Sequence, residues 1–333
     1  MNHIKNVEAQ QGVSAIRTNI SLRHLDLSSL RDYGIAFSFV LLFLLLSFSS
    51  PVFLTKGNLL NIVDQSALIG VIAAGGTLVM IAGGLDISTA AIFSFVGVVN
   101  ASVALRYGVI PGMITGICAG MILGAFNGFL VTVGRINAII ATLATSILFR
   151  GIALALTKGF LIYNPDPAFA VLGRGSVGSV QFTCFFFACA IAILWFILSR
   201  TTFGRYIYAT GGNAEAAKLS GVRTKLVTFI TFIISGFTCS IAGLIMSSRV
   251  ATGQADSGQG MEISAIAAIV IGGTSIAGGE GSAWRTAIGV LLLTLIGNGF
   301  NLLDWPATLQ QAFRGLIILI AVAIDAWSRK RAQ

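Results

Sequence analysis

Asn213-Ala-Glu-Ala-Ala-Lys-Leu-Ser-Gly221 lies between two apolar runs, and its residue types stand where a short water-exposed helix needs them. The side-chain oxygen of Asn213 can cap the N-terminus, and Glu215 falls in the first turn, where the helix dipole favours an anion. Lys218 falls near the other end, and Gly221 can take the left-handed backbone that stops the helix. Upstream, Gly211-Gly212 is expected to release the chain from the preceding run. An isolated helix of about two turns is unstable in water. It needs support, either from the underside of its own bundle or from the groove of a separate soluble subunit.

The other ionisable residues raise questions of placement. Asp64, Asp86, Arg150, Glu262 and Arg314 lie inside or beside apolar runs, where a charge near the bilayer centre costs about 2.5–3.5 kcal/mol on insertion scales. Arg150 and Arg314 both occur in Phe-Arg-Gly and either pair or snorkel, or else meet a substrate or gate. Asp86 follows Gly83 and Gly84, which mark a break in the chain; it either caps the next helix or acts mechanically at an inner interface. A polar route through the membrane would draw on Asn127, Asn137, Thr142, Thr145, Asn298, Asn301, Gln310 and Gln311, with helix-packing hydrogen bonds as their competing use. No catalytic set stands out. No Gly-Lys dipeptide occurs, so a phosphate-binding P-loop is not expected. Cys118, Cys184, Cys189 and Cys239 sit in apolar segments without paired spacing, so neither a metal site nor a disulfide framework is expected.

The elements that must position these residues are membrane helices. Of 333 residues, 56% are hydrophobic and 10% charged, with a mean hydropathy of +0.90, against roughly 25% charged in soluble domains. Apolar runs of about 20 residues, at about 1.5 Å per residue, cross a hydrocarbon core of about 30 Å. They are too long for barrel strands. The expectation is an all-α integral membrane protein, a bundle of about ten transmembrane helices, some broken. The runs are Tyr33–Ser49, Leu59–Ala82, Ile87–Leu105, Val109–Val133, Ile136–Thr157, Val180–Leu198, Leu226–Ser248, Ile263–Ala277, Ala283–Phe300 and Ala307–Trp327.

With residues 1–32 as an uncleaved cytoplasmic tail, ten crossings put 14 Lys and Arg residues on the inner face and five on the outer, as the positive-inside rule requires. The segment 200–225 and the basic end 328–333 are then also cytoplasmic, flanking a permeating domain over 33–327. The net charge of +9 is spread over short loops without the stripe that nucleic acid demands. Gly75-Gly76 and Gly83-Gly84 are expected to interrupt the second run, and Gly272-Gly273 and Gly278-Gly279 flank a run too short to cross comfortably. Such breaks are common in transporters, and close helix packing is the alternative. The outer segment 158–179, with Pro165 and Pro167, either docks a partner or caps the bundle.

Thr202-Phe-Gly-Arg205 followed by Gly211-Gly-Asn-Ala-Glu-Ala-Ala-Lys-Leu-Ser-Gly221 resembles the coupling segment of permease subunits of bacterial ABC importers of the ribose, arabinose and xylose group. Further agreement comes from Gly83-Gly-Leu-Asp-Ile-Ser88, Asn137-Ala-Ile-Ile-Ala-Thr-Leu143, Phe149-Arg-Gly151, Ile271-Gly-Gly-Thr-Ser-Ile-Ala-Gly-Gly279 and Phe313-Arg-Gly-Leu316. The resemblance runs from about residue 33 to residue 327. It implies a permease of the bacterial inner membrane that passes a monosaccharide from periplasm to cytoplasm. Its implied partners are a second permease subunit, identical or related, a periplasmic sugar-binding protein, and a cytoplasmic ATP-binding subunit carrying ATP and magnesium; no cofactor would be held by this chain. Gly204, Arg205, Gly212, Asn213, Glu215, Ala216, Lys218, Leu219, Ser220 and Gly221 would form the contact with the ATPase, with Ala214, Ala217 and Leu219 supplying its apolar part. A carrier driven by an ion gradient through Asp64 and Asp86, a passive channel, and an ABC permease for a nucleoside stand as other readings.

Overall fold

The computed structural model describes residues 27–306, 308–313, 315, 316, 319 and 323. Helix α1 (Leu27–Ser49) starts six residues before the apolar run does. Then follow α2 (Lys56–Ile81), α3 (Thr89–Tyr107), α4 (Val109–Thr132), α5 (Ala138–Thr157), β1 (Ile162–Tyr163) and α6 (Pro167–Arg174). After β2 (Ser176–Val177) and β3 (Val180–Gln181) come α7 (Phe182–Arg200), α8 (Thr202–Gly212), α9 (Ala214–Leu219) and α10 (Thr224–Val250). The described part ends with β4 (Thr252–Gly253), α11 (Met261–Ile271), α12 (Ala283–Leu302) and further helical residues from 308. This is an all-α membrane architecture. Among the described residues, α2, α3, α4, α5, α7, α10 and α12 are each long and apolar enough to cross a membrane.

Helix α10 is the hub, packed against α2, α3 and α4. Lipid removes most of the hydrophobic drive between helices, so close contact and hydrogen bonds hold them. On α4 the glycines recur every fourth residue, at 112, 116, 120, 124 and 128, and all five are buried. A Cβ on Gly120 would come 1.9 Å from Ser240 Oγ, and one on Gly124 2.4 Å from the Phe232 carbonyl oxygen. The α4–α10 crossing is therefore closed by backbone lying on backbone. The pair Gly75-Gly76 follows the same logic. Instead of interrupting α2, it sits inside an unbroken helix, where a Cβ on Gly75 would lie 2.1 Å from Thr238 Oγ1 of α10.

The second expected break does occur. Helix α2 ends with Ala82, Gly83 and Gly84 donating to Leu78, Met80 and Val79, and Gly83 has φ +86°. Helix α11 ends in the same pattern: Gly272, Gly273 and Thr274 donate to Ala268, Val270 and Ile269. With 11 residues α11 rises only about 16 Å, so the expected span Ile263–Ala277 does not cross as one helix. The irregular stretch before it packs its glycines against α3. A Cβ on Gly253 would meet Gly97 O at 2.8 Å, and the Gly258 N–H donates to Ser94 Oγ at 3.0 Å. Non-helical backbone at membrane depth survives only in such settings.

The segment 158–179 is folded. β1 pairs antiparallel with β4 (Ile162 opposite Gly253), β2 pairs with β3, and α6 is capped by Asp166, which accepts from Ala168 N at 2.8 Å. Ser248 Oγ donates to Phe169 O at 2.6 Å and accepts from Gly173 N at 2.8 Å, fixing α6 to the end of α10. The segment is thus packed onto the end of α10.

Candidate functional site

Helices α8 and α9 lie together at the end of the bundle where α2 ends and α12 begins. Thr201 opens α8 by accepting from Gly204 N at 3.0 Å, after which the helix lies under the bundle. Its buried Ile207 joins a cluster with Leu78 and Ile81 of α2, Leu194 and Leu198 of α7, Val227 of α10 and Ala283 of α12. Sequence reasoning missed this helix and placed a chain release at Gly211-Gly212, whereas both glycines belong to its last turn. The missed signal was amphipathic spacing: Gly204, Ile207 and Thr210 are the buried positions.

Only at Asn213 does the chain leave α8. Its Oδ1 accepts from Ala216 N at 3.0 Å and starts α9. Helix α9 closes with Ser220 N donating to Ala216 O, Val222 N to Ala217 O, and Gly221 at φ +87°. Of its six residues only Ala217 is buried, against this chain, so Ala217 is withdrawn from the surface expected to meet a partner. Gly204 is buried as well. Arg205, Gly212, Asn213, Ala214, Glu215, Ala216, Lys218, Ser220 and Gly221 are exposed, and Leu219 stands 88% exposed. The support the short helix needs thus comes from α8 on one side, leaving an open face with an apolar tip and one charge of each sign.

Three glycine pairs connect this surface to the bundle. A Cβ on Gly211 would sit 1.8 Å from Ile81 O, the carbonyl that accepts from Gly279 N at 2.8 Å. One on Gly278 would sit 2.8 Å from the Gly83 Cα, and one on Gly279 2.8 Å from the Gly212 Cα. The ends of α2 and α8 and the loop before α12 therefore touch through bare backbone. Burial raises the Tyr208 phenol above its ordinary value, against the pull of Arg285, so it stays protonated and donates to Gly281 O at 2.8 Å.

Just inside this joint, Asp86 is buried and is not the residue that caps α3; that position is Ser88. Asp86 Oδ1 accepts from Ser88 N (3.0 Å) and Ser88 Oγ (2.6 Å), and Oδ2 accepts from Ser235 Oγ of α10 at 2.7 Å. Asn127 Nδ2 of α4 donates to Ser88 Oγ at 2.7 Å. Thr142 of α5 accepts from Ile87 N at 3.1 Å and lies 2.8 Å from Ala138 O. The Gly83–Ser88 break is thus held by α4, α5 and α10, and Asp86 does not reach the surface.

The polar residues expected along a route divide. Asn127, Thr142 and Thr145 are buried in packing hydrogen bonds. Asn137 is exposed and caps α5, accepting from Ile139 N at 2.9 Å. Asn298 makes a reciprocal amide pair with Asn58 of α2, at 2.7 and 3.3 Å. Arg150 is half-buried, with its Nε buried and without a hydrogen-bond partner among the described residues. Arg314 lies outside the described residues. Asn301, Gln310 and Gln311, by contrast, come together around a cavity of about 450 Å3, joined by Gln65 of α2 and Gln259 before α11. The sequence hid Gln259 because its place depends on how the lead-in to α11 folds, and Gln65 because only packing shows which side of α2 faces α11 and α12.

Asp64, one of the two carboxylates a gradient-driven carrier would use, accepts from Arg249 Nη2 at 2.6 Å and from Thr183 Oγ1. It staples α2, α7 and α10 at the end opposite α9.

Comparison with known proteins matches residues 58–322 to the family described as branched-chain amino acid transport system / permease component. The ribose import permease protein RbsC of Haemophilus influenzae is 36% identical over 86% of this chain and 90% of its own. The L-arabinose ABC transporter permease protein AraH of Azospirillum brasilense is 33% identical, covering 90% of this chain and 89% of its own. The D-allose transport system permease protein AlsC of Escherichia coli is 36% identical, covering 84% and 86%. No solved structure matches the chain.

Proposed function

The chain belongs to the branched-chain amino acid transport system / permease component family, and on that premise we propose that it is the membrane-spanning permease subunit of an ATP-driven importer of a monosaccharide. The sugar assignment follows the ribose, arabinose and allose permeases, which match over 86% or more of their own length. The protein is then a multi-pass protein of the bacterial inner membrane. The α9 end faces the cytoplasm, as the Lys and Arg distribution requires, and ten crossings bring both termini to that side. Its partners are a cytoplasmic ATP-binding subunit holding ATP and magnesium, a periplasmic sugar-binding protein and a second permease subunit.

The observation that carries the coupling role is the open face of α9. An 88% exposed leucine at the tip of a capped six-residue helix offers the groove of a soluble subunit an apolar anchor, a one-anchor relative of helix-in-groove recognition. Residues 204–221 would pass the opening and closing of the ATPase to the bundle, with Glu215 and Lys218 orienting α9. Helix α8 makes that transfer mechanical, because Ile207 roots it among four membrane helices.

Leu219→Asp and Glu215→Arg test this. Both are expected to weaken co-purification of the ATP-binding subunit and to lower sugar uptake at least tenfold, with the thermal stability of the isolated permease unchanged. Full assembly and normal uptake by both variants would overturn the coupling role.

A further inference from the structure

Resting on the monosaccharide reading, we propose that the cavity between α2, α11, α12 and the helical residues from 308 is a sugar station on the transport route, with Gln65, Gln259, Asn301, Gln310 and Gln311 receiving the hydroxyl groups. The cavity, about 450 Å3, falls within the range of about 300–1,000 Å3 typical of small-molecule sites. It runs inward from the end of the bundle opposite α9: Asn301, the penultimate residue of α12, lies three residues past Asn298, which pairs with Asn58 near the start of α2. Gln65 comes nine residues after the first residue of α2, about 14 Å along the helix. Gln259 follows Gly258, which is bonded to Ser94 near the start of α3.

These amides have no purpose within the bundle. Gln65, Gln259, Asn301 and Gln311 are exposed and Gln310 half-buried, and none donates or accepts a side-chain hydrogen bond among the described residues. Asn58 and Asn298, a short distance away, satisfy each other. An amide left open to hydrocarbon loses the hydrogen bonds that water would give it. Five of them around one space that opens at the end of the bundle leave it to water or a polar solute, since polar groups within a membrane protein persist only against protein or an aqueous cavity.

The chemistry points to a neutral polyol. A carboxamide sets one acceptor beside two donors, and each sugar hydroxyl is both donor and acceptor, so neighbouring hydroxyls pair with one amide side chain. Among the described residues the lining carries no charged side chain and no aromatic ring. Without a ring platform or a charge, the grip is weak. That suits a station which must release its cargo inward, after a separate binding protein has done the selecting.

The test uses the complete importer in proteoliposomes, with its binding protein and labelled D-ribose, L-arabinose and D-allose as probes. Gln65→Leu and Gln259→Leu keep volume and suit a membrane, and each is expected to lower uptake at least fivefold and to change the ratio of rates among the sugars. Gln254→Leu, outside the cavity, is expected to stay within twofold of the unmodified protein. Uptake and ratios within twofold for both cavity variants would overturn the proposal. Ser264→Cys, on the lining, is expected to react with a membrane-impermeant methanethiosulfonate reagent and lose uptake on reaction. An unreactive Ser264→Cys beside normal sugar uptake overturns the station and leaves the sugar reading standing. A reactive Ser264→Cys in an importer whose unmodified form moves none of the three sugars overturns the cargo instead.

Discussion

Adjacent glycines at the end of α8 are expected to respond in opposite ways to the same substitution. At Gly211 an added Cβ would stand 1.8 Å from Ile81 O and 2.6 Å from Gly279 N. To restore ordinary contact at 3.4 Å, the α8 end and the α2 end must part by about 1.6 Å along that line. Such overpacking costs about 1–3 kcal/mol, and the bond from Gly279 N to Ile81 O, stretched by the same movement, contributes about 0.5–1.5 kcal/mol. Gly211→Ala should therefore cost about 2–4 kcal/mol and lower the unfolding midpoint of the purified permease by roughly 3–6 °C. At Gly212 a Cβ meets nothing within 4 Å, and replacing a helical glycine by alanine gains up to about 1 kcal/mol. Gly212→Ala should leave the midpoint unchanged or raise it. The joint also links the proposed ATPase-facing surface to α2, so the ratio of sugar moved to ATP hydrolysed should fall in Gly211→Ala. The assays are thermal unfolding in detergent and paired uptake and hydrolysis in proteoliposomes. Equal behaviour of the two variants would refute the reasoning that α8 is seated through bare backbone.

The reciprocal pair Asn58–Asn298 invites a double-mutant cycle: Asn58→Leu leaves the buried Asn298 amide unpaired and should cost about 1–3 kcal/mol, Asn298→Leu should cost less because half-buried Asn58 still donates to Phe53 O, and the double substitution recovers part of the loss. A cycle that adds simply would show the pair to be idle. Asp86→Asn replaces an acceptor serving three donors by a group that is half donor, with an expected loss of about 1–3 kcal/mol in stability; an unchanged unfolding midpoint would remove the network from the account. Because Asp64 is committed to Arg249 and Thr183, uptake with ATP supplied should continue after proton and sodium gradients are collapsed, and a stop would move the work to a gradient-driven carrier.

Helix existence was legible because bilayer thickness imposes a length and a composition on each span, and the apolar runs of α3, α4, α5, α7, α10 and α12 each fall within two residues of the observed helices. Local capping chemistry was legible too: Asn213 starts α9 and Gly221 ends it in the backbone conformation its type allows. The character of the α9 surface follows from those few residues, since a cap acts within one turn. Glycine pairs were ambiguous, as the same residue serves a break at Gly83 and a tight crossing at Gly75, and only the neighbour decides which. Helix α8 was hidden by its glycines, and the half-length α11 by apolar residues beyond its end. Polar residues in lipid were the least readable of all. Asn298 and Asn301 are three positions apart on α12, yet one is paired with Asn58 and the other lines the cavity. The sequence by itself determined a membrane bundle bearing a short capped helix, because length, charge and capping are local properties. Which amides are satisfied and which stand open to a passing solute was decided only by tertiary structure, because hydrogen-bond satisfaction belongs to pairs of groups far apart in the chain.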